Sequence, residues 1–156
     1  MHCTRQACTR PCAPLPRRLG PPRPSSRVWH GTSSTLTRSS LPLTEQIKCH
    51  CTDCQLTSGT SNSSNILAKE ADVSIEGSIG NYVSKAASGK DVTRIFCTSC
   101  GTPFAHNSAT FGDSMAVQTA PLGGAFKSVP YGAELFVKDR WAGVKAVEGA
   151  DQQETA

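Results

Sequence analysis

From residue 62 onward apolar side chains come in short runs or alternate with polar ones, and no long stretch repeats at helical spacing. Ile66-Leu67-Ala68, Val73-Ser74-Ile75, Asn81-Tyr82-Val83 and Val92-Thr93-Arg94-Ile95-Phe96 have the length and content of strands. Pro103–Asn107, Met115–Thr119 and Glu134–Val137 extend the series. Glu76-Gly77, Ile79-Gly80 and Ser88-Gly89-Lys90-Asp91 read as punctuation, with glycine supplying the turns. The best helical stretch is one or two turns following Cys51. The pattern predicts a mainly β domain. About 95 residues of compact β structure lies near the lower limit for a self-sufficient core, and such a domain gains from a metal staple.

Composition divides the chain near residue 46. The 156 residues carry a net charge of +4, eight cysteines and ten prolines, which allows one domain and a tail. Residues 1–46 hold seven of the prolines, seven arginines, no lysine and one acid, Glu45, a formal charge of +6. The remainder has nine basic and eleven acidic side chains, a charge of −2. A segment such as Arg17-Arg18-Leu19-Gly20-Pro21-Pro22-Arg23 buries too little apolar area to offset its conformational entropy. Residues 1–46 are therefore expected to be a disordered Arg/Pro/Ser-rich leader, 47–143 the β domain, and 144–156 a flexible acidic tail. Three readings of the leader stand open: a mitochondrial targeting segment, a basic tail for nucleic acid, or a non-conforming N-terminus, either a linker or the product of an unusual gene model or exon choice. No apolar run approaches the roughly 18 residues of a membrane helix, and the first 25 residues lack a secretory apolar stretch. A cytoplasmic location is expected, with the mitochondrion as the alternative suggested by the leader.

Without a secretion signal, cysteines point to metal or redox chemistry rather than to a disulfide scaffold. Five of them form two clusters. Cys49-His50-Cys51-Thr52-Asp53-Cys54 is a C-x-C-x-x-C, and Cys97-Thr98-Ser99-Cys100-Gly101 is a C-x-x-C-G. Two cysteines separated by two residues can wrap one zinc ion in a tight turn, and Gly101 suits the left-handed position that closes such a turn. Three thiolates in the first cluster leave a fourth zinc position open to water or substrate, the arrangement of a catalytic site. The alternative is a structural site completed from elsewhere, with His50 and His106 as candidate fourth ligands. For both histidines a surface or hydrogen-bonding role is the simpler reading. One or two zinc ions per chain are expected.

The string Cys49-His50-Cys51-Thr52-Asp53-Cys54-Gln55 with Ser58-Gly59 resembles the glutathione-dependent formaldehyde-activating enzyme family, which includes centromere protein V. Ser88-Gly89-Lys90, then Arg94-Ile95-Phe96-Cys97-Thr98-Ser99-Cys100-Gly101-Thr102-Pro103-Phe104, carry the same resemblance. So do Pro130, Glu134-Leu135-Phe136 and Arg140-Trp141. The resemblance spans roughly residues 47–143. It implies packed antiparallel sheets, two zinc sites, and condensation of formaldehyde with glutathione to S-(hydroxymethyl)glutathione by a carbon–sulfur lyase. Carried over, Cys49, Cys51 and Cys54 hold the catalytic-type zinc, and Cys97 and Cys100 are half of the structural set. The family's opening strand, with its C-x-C-G, has no counterpart upstream of Cys49. The cysteines there are Cys3, Cys8 and Cys12.

Two function classes follow. One is a zinc-dependent carbon–sulfur lyase acting on an adduct of an aldehyde with glutathione or another small thiol, impaired if the first ligand pair is lost. The other is a non-catalytic zinc module that resembles centromere protein V and binds a macromolecule, with nucleic acid suggested only by the +6 leader. Among further residues, Gln55, Ser58 and Gly59 either line the open site or make a turn. Arg94 either meets an acidic substrate group or forms an ion pair on its strand face. Asp53 caps the turn after Cys51 or supports the ligands. Phe96, Phe104, Phe136 and Trp141 are expected in the core.

Overall fold

A computed structural model describes Ser34–Arg38, by backbone alone, and residues 45–156 apart from Ala87. The strands are β1 Ser34–Arg38, β2 Gln46–Cys49, β3 Ser63–Lys69, β4 Val73–Gly77, β5 Ile79–Lys85, β6 Asp91–Cys97, β7 Pro103–Ser108, β8 Ser114–Gln118, β9 Tyr131–Leu135 and β10 Asp151–Gln153. One α-helix, α1 Thr52–Ser58, follows Cys51. Eight strands form one sheet in the order β10-β9-β2-β3-β8-β7-β6-β5, and β1 pairs with β4 in a two-stranded sheet. Pairing is antiparallel except where β9 runs parallel to β2 and β10. The mainly β expectation is met, with each anticipated run lying in a strand or overlapping one.

Strand alternation splits the large sheet into two faces of different chemistry. One cross-strand row runs through Ile66, Val117, Ala105 and Ile95. Of these, Ile66, Val117 and Ala105 form the core with Ala68, Met115 and Phe126, and Ile95 packs against it with Val73, Ile75, Leu122 and Val129. The adjacent row runs through Leu67, Ala116, His106, Arg94 and Tyr82, and a parallel one through Ile47, Asn65 and Gln118. That second face lies beneath α1 and holds the polar side chains.

Local chemistry sets the ends of α1. Cys51 is extended (φ −60°, ψ 151°), and its Sγ accepts from the Cys54 N–H at 3.4 Å, the cap a Ser or Asp oxygen usually provides. Gly59 closes the helix at φ 65°, which a side chain would resist. Asp53 does not make the cap.

Local details differ from the pattern read in the sequence. Ser34–Arg38, inside the segment read as a leader, forms a strand registered on Val73–Gly77, and Gln46 begins β2. Ser34-Thr35-Leu36-Thr37-Arg38 is proline-free and Thr-rich, a local strand signal that averaging over 46 residues concealed. The rest of 1–44 lies outside the described residues. Residues 144–156 are not a bare tail: Asp151–Gln153 pair with Ala133–Leu135, and the Val147 N–H donates to Glu134 Oε2 at 3.0 Å. Ile79-Gly80 is strand rather than turn, and β9 ends at Leu135 because Phe136 takes a left-handed conformation at φ 56°. Trp141 is 55% exposed instead of buried, donating through Nε1 to Gln55 Oε1 at 3.0 Å.

Candidate metal centre

Cys49 is the last residue of β2, with Ser63 of β3 and Leu135 of β9 as its register neighbours. The chain then turns into α1, so that Cys51 sits at the helix start and Cys54 on its inner side. The three Sγ atoms lie within 4.8 Å of one another. A tetrahedral zinc with bonds of 2.3 Å places its sulfurs ~3.8 Å apart, which lies inside that bound, so the group fits a thiophilic ion. None of the five described cysteines is disulfide-bonded.

The thiol chemistry points the same way. Cys49, hydrogen-bonded to Cys51 first and Cys54 second, is pushed above the ordinary thiol range, and burial adds to this. Cys51, which receives those hydrogen bonds from Cys49 and Cys54, is pulled down to about 2. Cys54 accepts from Cys49 but is opposed by Cys51 and by burial, and ends raised to about 11. Cys51 as a thiolate is stabilised by the two neighbouring thiols. A bound cation changes this balance, because its charge favours all three as thiolates. The donor set therefore fits the metal expected from the sequence.

His50 turns away from the sulfurs. It is fully buried, and its Nε2 pairs with Glu134 Oε1 at 3.1 Å. Glu134, also fully buried, further meets Lys48 Nζ at 3.3 Å and Arg140 at 2.8 Å. Burial alone raises a carboxyl. Here the Val147 N–H, Gln152, His50 and Lys48 together outweigh it and hold Glu134 down at about 2. His50 backbone N–H donates to Leu135 O at 3.0 Å, and Gln55 Nε2 donates to His50 O at 2.6 Å and to Asp139 O at 3.0 Å. The peptide between two candidate ligands is thus clamped on both sides. The hydrogen-bonding reading of His50 holds, and Gln55 and Ser58 hold turns together rather than facing an open site. Glu134 as the hub was missed in the sequence. An acid inside the strand Tyr131-Gly132-Ala133-Glu134-Leu135 was its available signal.

The triad opens onto a cleft of about 430 Å³ on the polar sheet face, shared with Asn65, Arg94, His106 and Gln118. Asn65 is 4% exposed and donates to Ser63 Oγ at 2.8 Å, while its Oδ1 has no partner. His106 is not part of the sulfur group. Burial and the charge of Arg94 lower it to about 4, so its ring is neutral at neutral pH. Arg94 Nε donates to Thr57 Oγ1 at 2.7 Å and approaches Asp53 at 3.9 Å, the ion pair expected on the strand face.

Cys97 and Cys100 lie at the β6–β7 turn, away from any third donor among the described residues. The turn itself is well made: Gly101 N–H donates to Cys97 O at 2.8 Å with Gly101 at φ 74°. Cys97 is 2% exposed, whereas Cys100 is exposed and its Sγ lies 3.1 Å from Thr102 Oγ1. Cys3, Cys8 and Cys12 lie outside the described residues.

Residues 33–139 match the family model described as glutathione-dependent formaldehyde-activating enzyme. The match begins upstream of the expected residue 47, beside β1, and ends short of 143. No curated protein matches the chain.

Proposed function

The chain belongs to the glutathione-dependent formaldehyde-activating enzyme family, and from that premise we propose that it is a carbon–sulfur lyase acting on the adduct of a small thiol, such as glutathione, with an aldehyde. The observation that carries the reading is the convergence of Cys49, Cys51 and Cys54 at the mouth of a cleft, with no fourth Cys, His, Asp or Glu joining them among the described residues. Zinc held there supplies a Lewis-acidic position that favours the thiolate form of an incoming thiol.

In the synthetic direction the substrate sulfur adds to the carbonyl carbon. The S–C bond forms, the C=O π pair moves to oxygen, and oxygen takes the proton the thiol gave up. Lysis is the reverse. The protein's part is positional. The Cys51–Cys54 cap fixes two ligands, and the His50–Glu134 pair fixes the peptide between Cys49 and Cys51. Ile47, Leu67 and Leu135 give the cleft an apolar wall.

The test is the rate of S-(hydroxymethyl)glutathione formation by purified, zinc-supplemented protein, alongside elemental analysis. A rate above the uncatalysed reaction with at least one zinc per chain is expected. No rate above background with glutathione and formaldehyde removes this substrate pair, and zero bound zinc removes the metal reading. A second zinc would mean that cysteines upstream complete the Cys97–Cys100 half-site.

A further inference from the structure

Asn65 is a buried polar group of the cleft that the proposed reaction leaves unused. It stands on β3 two residues beyond Ser63, so both side chains lie on the face that carries Cys49, the register partner of Ser63. Its Nδ2 donates to Ser63 Oγ at 2.8 Å, and the Ser63 hydroxyl in turn donates to the Cys54 sulfur. A hydroxyl has one proton to give. With that proton directed at a sulfur, Ser63 can only accept from Asn65. The amide must therefore turn its N–H side to Ser63 and its oxygen elsewhere. Oδ1 is buried and has no partner. An acceptor in that state is costly unless something supplies a donor.

The surroundings narrow what that donor can be. Asn65 lines the cleft that holds the three cysteines. Directly across the strand pair Gln118, also buried, brings a second amide to the same cleft. A primary amide offers both donors and an acceptor. The pair can thus hold one oxygen that gives a hydrogen to Asn65 Oδ1 and receives one from Gln118 Nε2. Ile47, in register with Asn65 on its other side, adds no competing polar group.

We propose that Asn65 and Gln118 form the seat of the aldehyde-derived oxygen, so that the cleft selects adducts with a hydroxyl on the carbon joined to sulfur. The identity of the ligand rests on the proposed reaction. As the S–C bond forms, the C=O π pair moves to oxygen, where the Gln118 N–H meets the growing charge. The thiol's proton then completes the hydroxyl, which donates to Asn65 Oδ1, and neither amide gains or loses a proton. The competing occupant of Oδ1 is an ordered water, which predicts no preference among ligands.

The experiment is calorimetric titration of the full chain with two stable peptides on glutathione's frame, cysteine being replaced by δ-hydroxynorvaline in one and by norleucine in the other. The first keeps the adduct's hydroxyl with methylene for sulfur, and the second has methyl in place of that hydroxyl. The hydroxyl peptide should bind tighter by about tenfold or more. Asn65→Leu, close in shape but without the acceptor, should bring the two within about twofold of each other. Gln118→Leu should remove part of the preference, and it carries the test if circular dichroism shows Asn65→Leu to be unfolded. Equal binding of both peptides by the native chain, binding of neither, or a folded variant at either position that keeps the native preference each overturns the proposal. A chain that forms no hydroxymethyl product yet shows this preference loses the reaction and keeps the seat. An active chain whose Asn65→Leu variant keeps native kcat and KM does the opposite.

Discussion

The two cysteine clusters share a C-x-x-C spacing and a tight local turn, yet the fold treats them differently. Cys51 and Cys54 start a helix that packs over the sheet, and Cys49 arrives from β2 so that three sulfurs converge. Behind them the buried His50–Glu134–Lys48–Arg140 cluster fixes the loop. Cys97 and Cys100 make an equally well-formed turn, closed by Gly101, but no third donor reaches it among the described residues. A spacing motif specifies a turn. Whether the turn becomes a metal site depends on what the strands bring to it.

The strongest way to break this contrast is Cys51→Ser. It removes the sulfur that caps α1 and accepts from both neighbours. Loss of the triad's metal and a fall of at least about a hundredfold in turnover are expected, the loss of metal reflecting the order of 10 kcal/mol that zinc–thiolate sites supply. Elemental analysis and the product assay read both. Unchanged metal content would place the ion elsewhere.

Next in size is Glu134→Gln, which leaves Lys48 and Arg140 facing a neutral amide. Breaking a buried pair of this kind costs about 3–5 kcal/mol, to be seen in denaturant unfolding. The pH dependence should change as well. Glu134 sits at about 2 in the folded protein against an ordinary value of 4.5. Its contribution is therefore complete above about pH 4.5, and is lost as pH falls towards 2. In Glu134→Gln that acid-side slope should flatten, and an unaltered slope would assign it to other carboxyls.

Gly101→Ala tests whether the second turn is needed at all. At φ 74° an Ala is strained by about 1–2 kcal/mol, measurable as a lower thermal midpoint with the triad's metal retained. The smallest expected effect is the one that sharpens the comparison most. Cys100→Ser changes an exposed thiol that lies beside Thr102, and should shift stability by no more than about 0.5 kcal/mol. Loss of a zinc ion and of several kcal/mol would instead show that cysteines upstream complete the site.

Much of this was legible in the chain. The alternating runs from residue 62 onward gave β3 to β8, because period-2 patterning is a local property. The turn chemistry of Cys51–Gly59 was likewise local. The parallel strand β10 was not legible, since Asp151-Gln152-Gln153 has no apolar alternation and is held by its pairing with β9. Nor was β1, whose signal was diluted by the prolines on either side. Trp141 reads as a core residue by type, yet its indole is drawn to Gln55 at the surface.

By itself, the sequence determined a β domain, two cysteine turns and the family that carries them, because each rests on residues a few positions apart. Tertiary structure alone decided which turn collects a third sulfur, that Glu134 becomes the buried hub behind it, and that Arg94 faces the same cleft. Those outcomes depend on strand register across the sheet, in which Arg94, His106, Ala116 and Leu67 fall into one row. Register is fixed by burying the other face, through Ile66, Val117 and Ala105. The core thereby sets the geometry of the site.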